Sequence, residues 1–544
     1  MEKNVWNKNI FILSIAIIVG ILTMLHVIVG YAKSPHGARY LWTGHYYLDY
    51  FYYLTPIAQG ERGALISYQQ GATDDGTVYP HLWPYIIIGQ IGRMLNLTPV
   101  TAFWLSVFLF STVTVVLISI TIKKILNRES FWLQTATLFL ALSAGPFWLV
   151  NGGTIKTNDF WYSTSTFFRR FEPIPHHLLS TIFILLGFII FSDLIEKRSD
   201  LKISNWLKKT FLMTVLFTGV LSFNSYSVVV PFLAILLTGT FYIFLTLFKQ
   251  KKRSAVKLFF ALTVCSIVLV AVAMAIKMFY EKTTFLGAFK NTESILHQSP
   301  GLKTFFLTFG PLFTLSFFGI KKFFSRFNVL KFIFLLSFIV SISLYNSSFD
   351  KIIGTHNGRF LTPLNYILLA SLSILGIKQI GEYLGRVKKL FIAVAVFGLL
   401  FYSIPIHFQA FQLITNDQNI SSPISYLPSG IIDGFKMLDK FSEKGNVLIT
   451  PSQFLGTVIP VYSGRKTYVA RQIVTPNYID KNIRTSNFYL GAMSKDEAYD
   501  FLKKNDLKFV VLTSIEGYDI RPLYQYPFLK EIYKNKEIVI FELT

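Results

Sequence analysis

The chain has 544 residues, 52% of them hydrophobic and only 15% charged, with a formal net charge of +23 and one cysteine. Soluble domains carry roughly 25% charged residues, so long apolar runs at this composition exclude a soluble enzyme and describe a polytopic membrane protein. The lone Cys265 excludes a disulfide framework and a cysteine metal site, and no phosphate-binding glycine loop, dinucleotide fingerprint or HExxH pair is present.

A hydrocarbon core about 30 Å thick needs roughly twenty apolar residues per helix. Segments of this kind fall near 10–30, 99–122, 131–150, 177–195, 210–224, 226–248, 256–280, 303–320, 330–346, 360–377 and 389–409. The first is long for a signal peptide and has no convincing cleavage site, so it is read as a span. The fifth and sixth share one apolar run broken by Ser222–Ser227, which reads as a tight turn, with a single very long helix as the alternative.

Basic residues cluster in alternate connections: Lys123, Lys124 and Arg128; then Lys197, Arg198, Lys202, Lys208 and Lys209; then Lys249, Lys251, Lys252, Arg253 and Lys257; then Lys321, Lys322, Arg326 and Lys331; then Lys378, Arg386, Lys388 and Lys389. The positive-inside rule makes these cytoplasmic. The charge therefore reports topology and anionic lipid contact, and nucleic acid is not an expected partner. The N-terminus is expected inside, and eleven spans leave the C-terminal region outside.

The first external loop, 31–98, is too long for a connector. Its stretch Arg39–Gln59 carries one acid, Asp49, among aromatics. Read as a helix, it places His45, Asp49, Tyr52, Pro56 and Gln59 on one face and Leu48, Phe51, Leu54, Thr55 and Ala58 on the other. This predicts an amphipathic helix lying at the membrane surface, stopped by Gly60 and Gly63. An interfacial anchor with a solvated acid is the alternative. The apolar stretch Leu82–Leu95 is too short to span and predicts a second interfacial or re-entrant helix.

The second external loop, 151–175, holds Lys156, Asp159, Arg169, Arg170 and Glu172 and leads into His176 and His177. A later loop carries Asp350, Lys351, His356, Asn357 and Arg359 just before a span. The organisation expected is a transmembrane domain over 1–409, a linker over 410–444 and a small α/β domain over 445–544. In the last, NVLIT, KTYVA, KFVVLT and EIVIFE read as strands and Ser494–Asn505 as a helix.

This arrangement resembles the GT-C class of membrane glycosyltransferases. Local segments also look like uncharacterised bacterial GT-C-like proteins: LDYFYYLTPIAQGERG, RFEPIPHHLL, HNGRFLTPLNY and IPVYSGRKTYVARQIVTPNYIDK. The resemblance implies an all-α polytopic domain of about eleven transmembrane helices with surface-lying helices in the first loop, plus a C-terminal α/β extracytoplasmic domain. It implies transfer of a sugar, with inversion, from a polyprenyl-phosphate carrier to a glycan, lipid or protein acceptor of the cell envelope.

In that chemistry Asp49 is the expected general base. Arg170 and Arg359 are the expected phosphate ligands, with Arg169 and Lys156 in reserve; snorkelling to headgroups is the alternative for each. His45, Asp159, His176, His177 and His356 are possible supporting groups, and Glu172 is expected to pair with a neighbouring cation. The sequence departs from the class where first loops carry paired acids, because Tyr50 follows Asp49. No cofactor is certain, and a divalent metal lacks the acid pair that would support it. The rival functions are a non-catalytic lipid-glycan-binding scaffold and a lipid-sugar flippase; the polar groups cluster in loops rather than mid-membrane, which favours surface chemistry over transport.

Overall fold

The computed structural model describes every residue except 1, 45–46, 75–77, 152–153, 158–163, 197–201, 282–294, 300, 326–327, 417–424 and 453. In chain order the helices are α1 (Glu2–Ala32), α2 (Tyr47–Glu61), α3 (Trp83–Met94), α4 (Pro99–Ile125), α5 (Phe131–Ser143), α6 (Phe167–Arg170), α7 (Pro175–Glu196), α8 (Ile203–Phe223), α9 (Val229–Phe248) and α10 (Lys252–Glu281). They continue as α11 (Leu302–Phe324), α12 (Val329–Tyr345), α13 (Phe349–Ile353), α14 (Asn365–Tyr383), α15 (Lys388–Asn416), α16 (Ser429–Lys440), α17 (Leu455–Ser463), α18 (Tyr478–Tyr489) and α19 (Lys495–Lys504). The strands are β1 (Ala38–Tyr40), β2 (Trp148–Asn151), β3 (Thr154–Thr157), β4 (Tyr426–Pro428), β5 (Asn446–Ile449), β6 (Leu507–Thr513), β7 (Leu529–Lys534) and β8 (Ile538–Leu543).

Each expected apolar segment carries a helix, and among the described residues eight helices are long and apolar enough to cross a membrane. Two fall short in length: α12 has 17 residues, and α5, expected over 131–150, stops at Ser143 after 13 residues. Gly145 and Pro146 follow it, and the backbone there meets a kink in α11. Gly310 sits at φ +63° inside α11, and a Cβ on it would lie 2.2 Å from the Gly145 carbonyl. Pro311 has no N–H to give the Leu307 carbonyl, and the Phe147 N–H takes that carbonyl instead at 2.8 Å. The Ser222–Ser227 break is a turn: α8 ends at Phe223, and a single 3₁₀ turn, Ser225–Val228, leads into α9.

The chain forms two compact units. The first comprises Met1–Thr23, Val107–Phe279 and Lys290–Gln412; the second comprises Met24–Ser106, Tyr280–Phe289 and Leu413–Thr544. In the first unit, α11 and α14 cross at glycines. A Cβ on Gly319 would lie 1.9 Å from the Leu372 carbonyl, and one on Gly376 would lie 2.4 Å from the Leu315 carbonyl. Small residues at such crossings let backbones approach where apolar burial drives little association. Some of the loop cations are paired: Asp193 takes Lys124 at 3.3 Å and Lys209 at 2.9 Å, and Glu129 takes Lys378 at 2.6 Å.

In the second unit the first loop packs against the C-terminal region. β1 pairs antiparallel with β4, Ala38 opposite Pro428. The main sheet runs β5-β6-β8-β7, with β5 and β6 parallel and the other pairs antiparallel. Its core gathers Leu448, Phe488, Tyr489, Phe501, Val510 and Phe541, all nearly or fully buried. Ser494 caps α19 through Oγ and the Glu497 N–H at 3.2 Å. KTYVA is not a strand: only Thr467 bridges to Val447, because the segment turns away to meet the first loop. The stretch expected as linker carries β4 and α16.

Candidate functional site

The second unit holds α2 and Asp49. The helix forms as expected but is not merely surface-lying: Tyr50, Phe51, Leu54, Ile57 and Ala58 are buried. Gly60 does not stop it. The helix runs through to Glu61, and the left-handed Gly63 (φ +96°) follows. Gly60 is needed for close approach: a Cβ would lie 2.3 Å from the Ile86 carbonyl of α3, and one on Gly89 of α3 would lie 2.1 Å from the Ile57 carbonyl. The helix at Leu82–Leu95 is thereby pressed onto α2. The polar face of α2 is also partly enclosed. Gln59 clamps the Tyr68 backbone, its Nε2 donating to the carbonyl at 2.7 Å and its Oε1 accepting the N–H at 3.1 Å. Tyr52, Thr55 and Pro56 line a cavity of only about 20 Å³, room for about one water. Tyr52 Oη lies 3.1 Å from His81 Nε2, and burial pushes the His81 imidazole down to about 4.

Asp49 stands in the first turn of α2, where the helix dipole favours an anion. Its side chain is 46% exposed, and Arg471 Nη1 donates to Oδ1 at 2.5 Å. The segment bearing Arg471 is stitched to the first loop. Gln69 Nε2 donates to the Val474 carbonyl at 2.6 Å, Thr475 Oγ1 donates to the Gly71 carbonyl at 3.1 Å, and the Thr467 N–H donates to the Gln70 carbonyl at 2.9 Å. Phe51 meets Phe454 edge-on at 5.6 Å. These contacts hold the guanidinium at the carboxylate. Arg471 lies 422 residues from Asp49 in sequence, and no local pattern announces the pair; sequence reasoning gave Arg471 no role.

The cations of the first unit behave differently from one another. Arg170 is buried, and the expectation that it grips phosphate gives way to a structural role. Nη1 donates to the Ala141 carbonyl at 2.8 Å, Nη2 to those of Ala144 at 2.7 Å and Ser165 at 3.2 Å, and Nε to that of Thr164 at 3.2 Å. The guanidinium carbon lies 3.5 Å from the Tyr366 ring centre, and burial lowers its pKa to about 10. The Ala141 and Ala144 carbonyls lie at the end of α5, where helices leave acceptors unsatisfied. Arg169, by contrast, is exposed on α6. Lys156 is exposed on β3 of the β2–β3 hairpin, opposite Leu149. Arg359 is half-buried in the 3₁₀ turn Asn357–Phe360, next to the fully buried His356.

His177 Nδ1 lies 2.8 Å from Glu172 Oε2, and the His176 and His177 rings meet at 4.3 Å. A further pair went unread in the sequence. His297 Nδ1 lies 2.7 Å from Oδ2 of the fully buried Asp350, and buried Asn357 accepts the Gln298 N–H at 3.0 Å. His45 and Asp159 lie outside the described residues. Among the described residues no three His, Cys, Asp or Glu side chains gather as a metal site.

No protein-family model and no curated protein matches the chain. Solved structures do. The archaeal oligosaccharyltransferase AglB from Archaeoglobus fulgidus, in complex with an inhibitory peptide and a dolichol-phosphate, is 11% identical; the match covers 93% of this chain and 70% of that one at a TM-score of 0.50. The arabinofuranosyltransferase AftD from Mycobacteria is also 11% identical, over 97% of this chain and 41% of that one, at 0.53. ArnT from Cupriavidus metallidurans is 11% identical over 96% and 97% of the two chains at 0.47. The first two establish that this chain has the fold of the GT-C membrane glycosyltransferases, multi-pass and helical, with a small C-terminal sheet domain.

Proposed function

We propose that the protein transfers a sugar from a polyprenyl-phosphate carrier to an acceptor on the extracytoplasmic face, with inversion and with Asp49 as general base. The observation that carries this reading is the placement of Asp49. Here Asp49 is half-exposed on a helix packed into a compact unit, with the Arg471 guanidinium at 2.5 Å. A carboxylate so placed accepts the acceptor hydroxyl's proton as the oxygen attacks the anomeric carbon. The bond from that carbon to the phosphate oxygen breaks, and the polyprenyl phosphate leaves as an anion. Cations stabilise that departing charge. Arg359 is the proposed phosphate ligand, with Arg169 and Lys156 as further candidates; Arg170 is not one of them, because its donors already serve backbone carbonyls. The dolichol-phosphate in the AglB complex supports a lipid-phosphate donor.

Protein reconstituted in bilayers and incubated with labelled polyprenyl-phosphate sugars tests the reading. Glycosyl transfer supports it. Movement of label across the bilayer without transfer identifies a flippase, and retention of label without either identifies a binding scaffold. The proposed orientation is tested separately: a cysteine at Ser442 is labelled from outside, and one at Ser325 is not.

A further inference from the structure

In the first unit the contact between Asp350 and His297 uses one nitrogen of the imidazole and leaves the other. We propose that His297 binds a phosphate monoester through Nε2 and makes its site favour that ligand over a phosphodiester. The proposal rests on the glycosyltransferase reading only in taking the monoester for the polyprenyl phosphate left when the sugar departs.

Local structure fixes the pair. Asp350 lies in the first turn of α13. Its side chain is fully buried, that of His297 is 21% exposed, and Asp350 Oδ2 lies 2.7 Å from His297 Nδ1. An ionised carboxylate only accepts, so Nδ1 carries the hydrogen. Asp350 Oδ1 is buried and has no partner among the described residues, which leaves His297 to answer the carboxylate's charge. The chain beside His297 is held as firmly. Buried Asn357 accepts the Gln298 N–H at 3.0 Å and donates to the Gln298 carbonyl at 2.5 Å and the Tyr345 carbonyl at 2.7 Å. Asn357 opens the 3₁₀ turn that carries Arg359. One side-chain amide therefore ties the segment bearing His297 to the turn bearing the proposed phosphate ligand.

The other ring nitrogen is open. Nε2 has no hydrogen-bond partner among the described residues. Because Nδ1 faces a fully buried carboxylate, the ring edge that reaches solvent is the one carrying Nε2. That atom is a lone pair on the neutral ring and a donor on the imidazolium.

Charge and donor set choose the ligand. Asp350 is committed to His297, while Lys351 is exposed on α13 and Arg359 is half-buried on the turn. This cationic balance suits an anion. A metal ion would meet a single ring nitrogen, since no three His, Cys, Asp or Glu side chains gather among the described residues. A phosphate monoester loses its second proton near about pH 6, so it shares one proton with Nε2: the P–OH gives it to the neutral ring, or the imidazolium gives it to the dianion. A diester has no such proton. When the bond from the anomeric carbon to the phosphate oxygen breaks, its electron pair stays on that oxygen, and the carrier phosphate passes from a diester monoanion to a monoester dianion. Nε2–H then meets more charge than it met in the donor, and a contact that strengthens along the reaction lowers the barrier.

The test uses the full chain in nanodiscs of zwitterionic lipid, with calorimetric titration of farnesyl phosphate and of its methyl ester, a diester of the same chain. The parent protein is expected to prefer the monoester about tenfold, the margin of one charge-assisted hydrogen bond over a neutral one. His297→Gln keeps an N–H donor but cannot exchange a proton, and should bring the two affinities close to parity. Melting curves identify a variant that has not folded. The double variant His297→Gln with Asp350→Asn, which leaves no buried charge unanswered, then carries the comparison. Phosphatidic acid offers the same monoester from a bulk lipid: displacement of farnesyl phosphate by an equal concentration assigns the site to lipid phosphate monoesters in general, and failure to displace assigns it to the carrier. A monoester preference that depends on His297 in a protein that transfers no sugar upholds this site and removes the transferase reading. No preference in the parent, or the same preference in the folded variants, overturns the proposal.

Discussion

Replacing Asp49 by asparagine preserves size and removes the proposed base, and the structure sets the scale of the two effects to be compared. The Asp49–Arg471 pair is short, but the carboxylate side chain is 46% exposed. Water screens such a pair, so its contribution to folding is about 0.5–1 kcal/mol. Loss of a general base costs a factor on the order of 10² to 10⁴ in rate, or about 3–5 kcal/mol of barrier. Asp49→Asn is therefore expected to melt close to the parent protein, bind donor normally and lose nearly all turnover.

Arg471→Gln separates orientation from chemistry. If Arg471 acts by holding the carboxylate, its loss lowers the rate in the parent and changes little once Asp49 is gone, giving a strongly non-additive cycle. The assay is single-turnover transfer from a labelled polyprenyl-phosphate sugar in proteoliposomes, with donor affinity measured in parallel. Parent-like turnover by the Asp49→Asn protein refutes the assignment. Additive losses across the cycle refute the coupling to Arg471.

Other consequences follow from single residues. Arg359→Ala should raise the donor Kd while the protein stays folded, whereas Arg170→Ala should cost about 2–5 kcal/mol of stability, because it strips donors from buried carbonyls; melting and donor titration distinguish the two. Burial raises the Glu516 carboxyl from 4.5 to about 7, so above pH 4.5 the unfolded chain releases a proton that the folded one keeps. Stability from this group is greatest at low pH, falls between about 4.5 and 7 and then levels; Glu516→Gln should abolish that slope in melting temperatures measured across the range. Gly89→Ala should destabilise by about 1–3 kcal/mol, since its Cβ meets the Ile57 carbonyl. Gly398→Ala, in α15 with open space around it, should stabilise by about 0.5–1 kcal/mol, so denaturation should report opposite signs.

Hydrophobic periodicity and run length were sufficient to locate the apolar helices, the break at Ser222–Ser227, α19, and strands β5, β6 and β8, because each depends on residues close together in the chain. The amphipathic pattern around Asp49 likewise marked α2. The early end of α5 has a local cause in Gly145 and Pro146, which the apolar run around them masked; the bond from the Phe147 N–H to the Leu307 carbonyl was hidden, because it joins residues 160 apart. Gly60 read locally as a breaker and Gly89 carried no reading of its own, yet both serve as contacts, since only packing reveals which backbone lies opposite. Arg170 carried the right charge in the right loop for phosphate; only tertiary structure showed that its N–H groups are taken by carbonyls. The contacts that position the acids, Asp49 with Arg471 and Asp350 with His297, join distant segments. A single sequence shows which residues can ionise, but their partners are fixed by how the chain closes on itself.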